Sequence, residues 1–195
     1  MKFDKTFWNN RYTNNDIGWD IGKVSTPIKE YIDQLKNKEL KILIPGCGNA
    51  YEAEYLVQSG FKNVFLIDLS PIALRSFSER VPDFPKNQLI CTDFFKHNEQ
   101  YDIIIEQTFF CALHPSLRLN YVIHTSKLLK PNGKIIGLLF DAALNSDQPP
   151  FGGSRQEYIN YFKPYFNLNV IEVSYNSIAP RAGRELFINF KKKEC

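Results

Sequence analysis

Apolar residues along this chain fall into two rhythms. Short unbroken runs at 40–44, 64–67, 89–91, 103–105 and 134–140 read as strands covered on both faces. Between them lie stretches with helical spacing or helical punctuation: 51–59 closed by Gly60, 71–78 behind Pro71, and 117–129 closed by "KPNG". Ahead of the first run, "STPIKEYIDQLKN" offers Thr26 as a cap, Pro27 in the first turn, and Ile28, Tyr31, Ile32 and Leu35 at i, i+3, i+4, i+7, an amphipathic helix. Strand alternating with helix predicts a parallel sheet with helices on both faces, joined by right-handed crossovers. The ending breaks the rhythm. "NLNVIEVSY" and "ELFINFKK" follow one another without a convincing helix between them, so the last two strands are expected to pair antiparallel. The one long loop is 144–153, "LNSDQPPFGG", and long loops in compact domains are often functional.

Composition narrows the classes without choosing one. A chain of 195 residues with 44% hydrophobic residues suits a single domain over 1–195. Its net charge of +3 and a lone basic cluster at Lys191, Lys192 and Lys193 give no footprint for nucleic acid. No apolar stretch has the length of a signal peptide core or a membrane span. The four cysteines are scattered without a CxxC pair and without histidines placed to complete a metal set, which reads as reduced thiols in the cytoplasm and no metal site.

The chemistry gathers at strand ends. Gly46 and Gly48, in "LIPGCGNAYE", sit between the first strand and the first crossover helix, where an open parallel sheet binds ligands. Without Cβ atoms the turn tightens and a nucleoside can approach the backbone. Asp68 ends the second strand twenty residues after Gly48, the place from which a carboxylate accepts from both ribose hydroxyls. Tyr51 occupies the position of the third glycine in GxGxxG, which argues against a pyrophosphate and for a phosphate-free adenosyl ligand, S-adenosylmethionine being the common one. In "CTDFF", Asp93 can accept from the adenine amino group, while Phe94 either stacks on the ring or belongs to the core. The fourth strand, "YDIIIEQTFFCALHP", brings Glu106, Gln107 and Thr108 to the carboxyl edge of the sheet, where the reacting methyl is expected. The Asn or Asp, Pro, Pro, aromatic element of amino methyltransferases acting on nucleic acid is missing there, and "QPPF" at 148–151 falls too late to supply it.

Taken with "FWNNRYTNNDIGWDIG", "EQTFFCALHP", "LLKPNGKI" and "SIAPRAGRELFINFKKK", the chain resembles the thiopurine methyltransferase superfamily, and most of all its branch of thiol and halide methyltransferases. The resemblance runs from about Phe7 to Lys192. It implies a Rossmann-like class I fold with a seven-stranded, mostly parallel sheet, an N-terminal lid with helices over 1–37 and a core over 38–195. It also implies methyl transfer from S-adenosylmethionine to thiols, bisulfide, thiocyanate or halide ions. Trp8, Tyr12 and Trp19 take the positions of aromatic residues that close over the cofactor, and Gly46, Asp68, Asp93 and Phe94 those of its contacts. Two residues depart: Tyr12 stands where plant relatives have tryptophan, and Gln107, beside the cofactor, where they have tyrosine.

The acceptor is expected between the N-terminal segment, the "TFF" turn and the loop at Pro150 and Phe151, with Gln107, Phe109 and Tyr158 as walls. Arg181 and Arg184 either attract an anionic acceptor or pair with Glu185 or Glu172; the resemblance puts Arg184 near the pocket. Alkylation by a sulfonium needs little acid or base chemistry, so no catalytic residue is assigned, and His114, ahead of Pro115, reads as structural. A nicotinamide-linked oxidoreductase and a cofactor-binding protein without turnover are the competing readings; the first is opposed by Tyr51, and an activity assay decides the second. The working unit is expected to be a monomer with a small-molecule acceptor.

Overall fold

The computed structural model describes residues 3–194. Its elements run α1 (Lys5–Thr13), α2 (Thr26–Asp33), β1 (Ile42–Pro45), α3 (Tyr51–Gln58), β2 (Val64–Asp68), α4 (Pro71–Arg80), β3 (Leu89–Cys91), β4 (Tyr101–Gln107), α5 (Arg118–Leu128), β5 (Leu129–Phe140), α6 (Arg155–Phe162), β6 (Phe166–Val173) and β7 (Glu185–Lys192). They build one seven-stranded sheet in the order β3-β2-β1-β4-β5-β7-β6. The first five strands in that order are parallel, and β7 runs antiparallel to both neighbours.

Period-two alternation divides the core into two layers. Ile42 and Ile44 of β1, with Ile103 and Ile105 of β4, pack against Ile28 and Ile32 of α2 and Ala53 and Leu56 of α3. Leu43 and Ile104 face the other way, toward Tyr121 and Val122 of α5 and Phe162 of α6. The strands read as buried on both faces are so because each side is covered by helices. The strand order reverses between β1 and β4, which opens a crevice beyond their carboxyl ends.

Three local expectations need correction. The cap of α2 is Ser25, in extended conformation, and Thr26 is already helical, since Pro27 then falls where its missing N–H is no loss. "KPNG" does stop α5, but β5 starts at once at Leu129 and absorbs it: Asn132 takes a left-handed φ of 63°. The register slips between the Tyr101–Leu129 and Ile103–Lys134 pairs. A helix, α6, was not foreseen between the fifth and sixth strands; Ser154 caps it by accepting from the Glu157 N–H at 3.3 Å, and Tyr158 and Phe162 bury its inner face. The last two strands pair antiparallel as expected, and β7 lies inside the sheet, between β5 and β6. Among the described residues, no helix is long and apolar enough to cross a membrane.

Candidate active site

β1 delivers the chain into the glycine turn. Gly46 and Gly48 have φ of 55° and 53°, left-handed values that a side chain would strain. Space is as restrictive as torsion: a Cβ on Gly46 would lie 2.1 Å from the Phe109 ring, and one on Gly48 2.8 Å from the Tyr12 hydroxyl. Asp68, the last residue of β2, braces the turn. Its Oδ2 accepts from the Gly48 N–H at 3.0 Å and its Oδ1 from the Ser70 N–H at 2.7 Å. The carboxyl is 7% exposed. Burial pushes its pKa up, while the Ser70 and Gly48 amides pull it back. Each oxygen keeps a second acceptor direction, so the group can still take two hydroxyl donors.

Beyond this turn opens a cavity of about 490 Å³. Asp68, Asp93, Phe94 and Ile67 line it from the sheet side, and Phe109 from the turn after β4. Asp93 is fixed as a cap, Oδ1 accepting from the Phe95 N–H at 3.0 Å, and the Phe94 ring stands edge-on to Phe109 at 5.3 Å. The cover is aromatic: Trp8 from α1, then Tyr12, then Trp19, with Trp8 to Trp19 at 5.6 Å and Tyr12 to Trp19 at 5.9 Å, both edge-to-face. Burial, with Asp68 adding to it, raises the Tyr12 phenol far above its ordinary value, so it stays protonated. Polar ties hold the cover down. Ser70 Oγ donates to Asn9 Oδ1 at 2.7 Å, and the Arg181 guanidinium donates to the Trp19 carbonyl at 2.6 Å and to Glu185 at 3.3 Å.

Past Gly46 a recess of about 40 Å³ continues the space, sharing Trp19, Gly46 and Thr108 and lined further by Gly48 and Gln107. Gln107 Oε1 is buried there without a hydrogen-bond partner. A buried acceptor of this kind suits an ammonium or amide donor. The charged lining of the main cavity is Asp4, Asp68 and Asp93 against Lys5, an electronegative surface that favours a cation and disfavours phosphates. The bare turn, the buried ribose-ready carboxylate and the orphaned Gln107 oxygen together fit an adenosyl sulfonium.

Of the residues singled out in the sequence, Trp8, Tyr12, Trp19, Gly46, Asp68, Asp93, Phe94 and Phe109 meet at the main cavity, and Gly48 and Gln107 at its recess. Two do not arrive. Tyr158 is drawn into the core because α6 packs there; its hydroxyl donates to the Phe140 carbonyl at 2.6 Å and its ring stands against Phe110. Arg184 lies exposed in the turn before β7, and Arg181, one 3₁₀ turn earlier, is the arginine that reaches the lid. The long loop contributes Pro149 and Pro150 as wall residues, while Phe151 is buried behind them, edge-on to Phe3 and His114. Phe3, Leu113 and His114 also line the acceptor end and were not foreseen as walls. His114, read as structural, caps the 3₁₀ turn at Pro115–Leu117, its Nδ1 accepting from the Ser116 N–H at 3.2 Å, and it also lines the cavity.

This fold and site define an S-adenosylmethionine-dependent methyltransferase of class I. The chain belongs to the thiopurine S-methyltransferase (TPMT) family, whose model matches residues 3–189. It is 29% identical to probable thiol methyltransferase 2 of Arabidopsis thaliana, over 95% of this chain and 84% of that one. It is 28% identical to thiocyanate methyltransferase 1 of Brassica oleracea, with the same shares covered. Among solved structures, 1,6-didemethyltoxoflavin-N1-methyltransferase of Burkholderia thailandensis, with bound 1,6-didemethyltoxoflavin and S-adenosylhomocysteine, superposes with a TM-score of 0.77 at 15% identity, over 97% of this chain and 87% of that one.

Proposed function

We propose that the protein methylates a small soft nucleophile, a thiol or hydrosulfide first, with thiocyanate, halide and thiopurine as further acceptors. The observation that carries this reading is the arrangement at one cavity of a buried Asp68 braced on a bare glycine turn, an orphaned Gln107 acceptor and an aromatic cover. When bound, S-adenosylmethionine supplies a methyl already activated by its sulfonium. Asp68 would hold the ribose hydroxyls and Asp93 the adenine amino group, with Gln107 Oε1 accepting from the amino-acid end; Phe94, 3% exposed and stacked on Tyr121 at 5.5 Å, belongs to the core behind the cavity wall. Phe109, Leu113, His114 and Pro150 bound the space left for the acceptor.

What the chain then contributes is placement and dryness. Holding two reactants at near-contact distance is worth roughly 7–11 kcal/mol of the barrier. Soft anions react faster once stripped of water, and the mutually packed Trp8, Tyr12 and Trp19 exclude it. Their ring faces also suit a cation, at about 0.5–2 kcal/mol. Cys111 faces the cavity, but burial pushes its thiol up to about 12, so it stays protonated and does not compete as a nucleophile. The free cysteines suit a reducing compartment such as the cytoplasm, and a cavity walled by one chain suits a monomer.

Calorimetry with S-adenosylhomocysteine and a labelled-methyl assay over sulfide, small thiols, thiocyanate, iodide and thiopurines tests the reading. The expected result is micromolar binding and transfer to the sulfur acceptors. Binding without transfer to any of them would leave a cofactor-binding protein, and no binding would remove the reading altogether.

A further inference from the structure

Directly beneath the cavity, and outside its lining, lies a fully buried carboxylate. Glu106 of β4 is 1% exposed. Its Oε1 accepts from the Phe109 and Phe110 N–H groups, both at 2.8 Å, and its Oε2 from the Tyr121 hydroxyl at 2.6 Å. The turn it grips holds Thr108 at a left-handed φ of 58°, a conformation that a β-branched residue keeps only under outside support. From that turn the Phe109 ring is laid on Gly46, so close that no Cβ fits, and against Phe94 and Tyr121 at 5.3 and 5.9 Å.

We propose that Glu106 is the positioning residue of this site: without touching ligand, its carboxylate sets the 108–110 turn and thereby the seating of Phe109 on the cofactor turn. This rests on the function proposed above, since the turn serves that cavity.

Among the described residues, no cation neutralises Glu106. Arg118 donates to Glu157 and the Gly152 carbonyl, and Arg181 to Glu185 and the Trp19 carbonyl. The other groups facing it are neutral at physiological pH: burial raises the Tyr121 phenol and the Cys111 thiol, and Tyr158 is held on the Phe140 carbonyl. Burial lifts the Glu106 carboxyl to about 7, against the pull of its three donors, so both its states are populated near neutrality. In the ionised state the Tyr121 hydroxyl donates to Glu106 Oε2; in the protonated state the carboxyl is itself a donor and the backbone N–H groups of Phe109 and Phe110 keep only a neutral acceptor. Protonation exchanges charge-assisted bonds for weaker neutral ones, and the turn loosens.

The test measures S-adenosylhomocysteine affinity by calorimetry from pH 6 to 8.5 in wild type, Glu106→Gln and Tyr121→Phe. Wild type should tighten about tenfold as pH rises, the size expected for one charge-assisted bond, while Glu106→Gln stays flat at the weak level. In Tyr121→Phe the loss of a donor should move the midpoint upward and weaken binding about threefold at neutral pH. Glu106→Gln also subtracts every other titrating group of the cavity. Equal affinities in wild type and Glu106→Gln at all pH values would overturn the positioning role while leaving the function intact. Should wild type bind nothing, the function falls and the amide resonances of Phe109 and Phe110 decide: they should titrate together near pH 7 in wild type, and their silence refutes the role. Should Glu106→Gln fail to fold, an unchanged midpoint and affinity in Tyr121→Phe refutes it equally.

Discussion

β1 buries all four of its residues in the middle of the sheet, whereas α1, which covers the same cavity from above, buries none. Each fully buried Ile or Leu of the floor contributes about 1.5–3 kcal/mol. The lid instead depends on a cap, a few hydrogen bonds and edge-to-face aromatic contacts of about 0.5–1.5 kcal/mol each. Asp4 caps α1 through the Thr6 and Phe7 N–H groups, Asn49 donates to Asp20, and Arg11 lies over Trp19 at 5.2 Å. Opening such a lid breaks a handful of peripheral contacts and leaves both core layers intact. The cavity thus combines a tightly packed floor with a loosely held cover. Floor substitutions should therefore register in stability as well as in binding, and lid substitutions in binding almost alone.

The largest effect belongs to the floor and to pH. The Glu106 carboxyl moves from its ordinary 4.5 to about 7 on folding. Between those values the native state keeps a proton that the unfolded chain has shed, so stability falls as pH rises through the window and levels off above it, by about 3 kcal/mol in all. Urea denaturation at pH 5 and pH 8 should show that loss in wild type and much less of it in Glu106→Gln. Next comes Asp68→Ala, which strips the Gly48 and Ser70 N–H groups of their acceptor and any ribose of its own; S-adenosylhomocysteine binding should weaken about a hundredfold, with a lower Tm. Gly46→Ala follows at about 2 kcal/mol of stability, from the left-handed φ and the collision with Phe109. Adding Phe109→Ala should restore the share due to collision and not the share due to torsion, read by urea denaturation of the double variant.

On the lid, Arg181→Ala removes the donors to the Trp19 carbonyl and Glu185. Calorimetry should find ligand binding weakened about tenfold, with a faster off-rate in stopped flow. A loss of stability larger than the loss of binding would show that the lid is part of the core after all. Smallest is Asn9→Ala, which costs the single bond from Ser70; a twofold to fivefold change in affinity with an unchanged Tm is expected.

The same contrast explains what could be read from the sequence. β1, β2 and β4 were legible because strands covered on both sides leave unbroken apolar runs, and Gly46, Gly48 and Asp68 because a strand end and the turn after it are local. α1 shows no apolar stripe, since it packs through partly exposed aromatics. α6 was hidden in "RQEYINYF", where helix formation depends on Tyr158 and Phe162 reaching the core. That burial also removed Tyr158 from the acceptor walls. Choosing Arg181 over Arg184 required knowing where the Trp19 carbonyl lies, 162 positions away in the chain. Phe3, His114 and Pro149 share a wall because three separate segments converge, which no spacing encodes.

The place of β7 has a consequence for biosynthesis. It is the last of the seven sheet strands in chain order, and it must enter between β5 and β6, which it joins. By the time it emerges, every residue from the glycine turn to Gln107 has already been translated. The nascent chain can thus assemble the half that carries the glycine turn and Asp68 first and hold two unsatisfied strand edges until β7 emerges, the interval in which a chaperone has most to do.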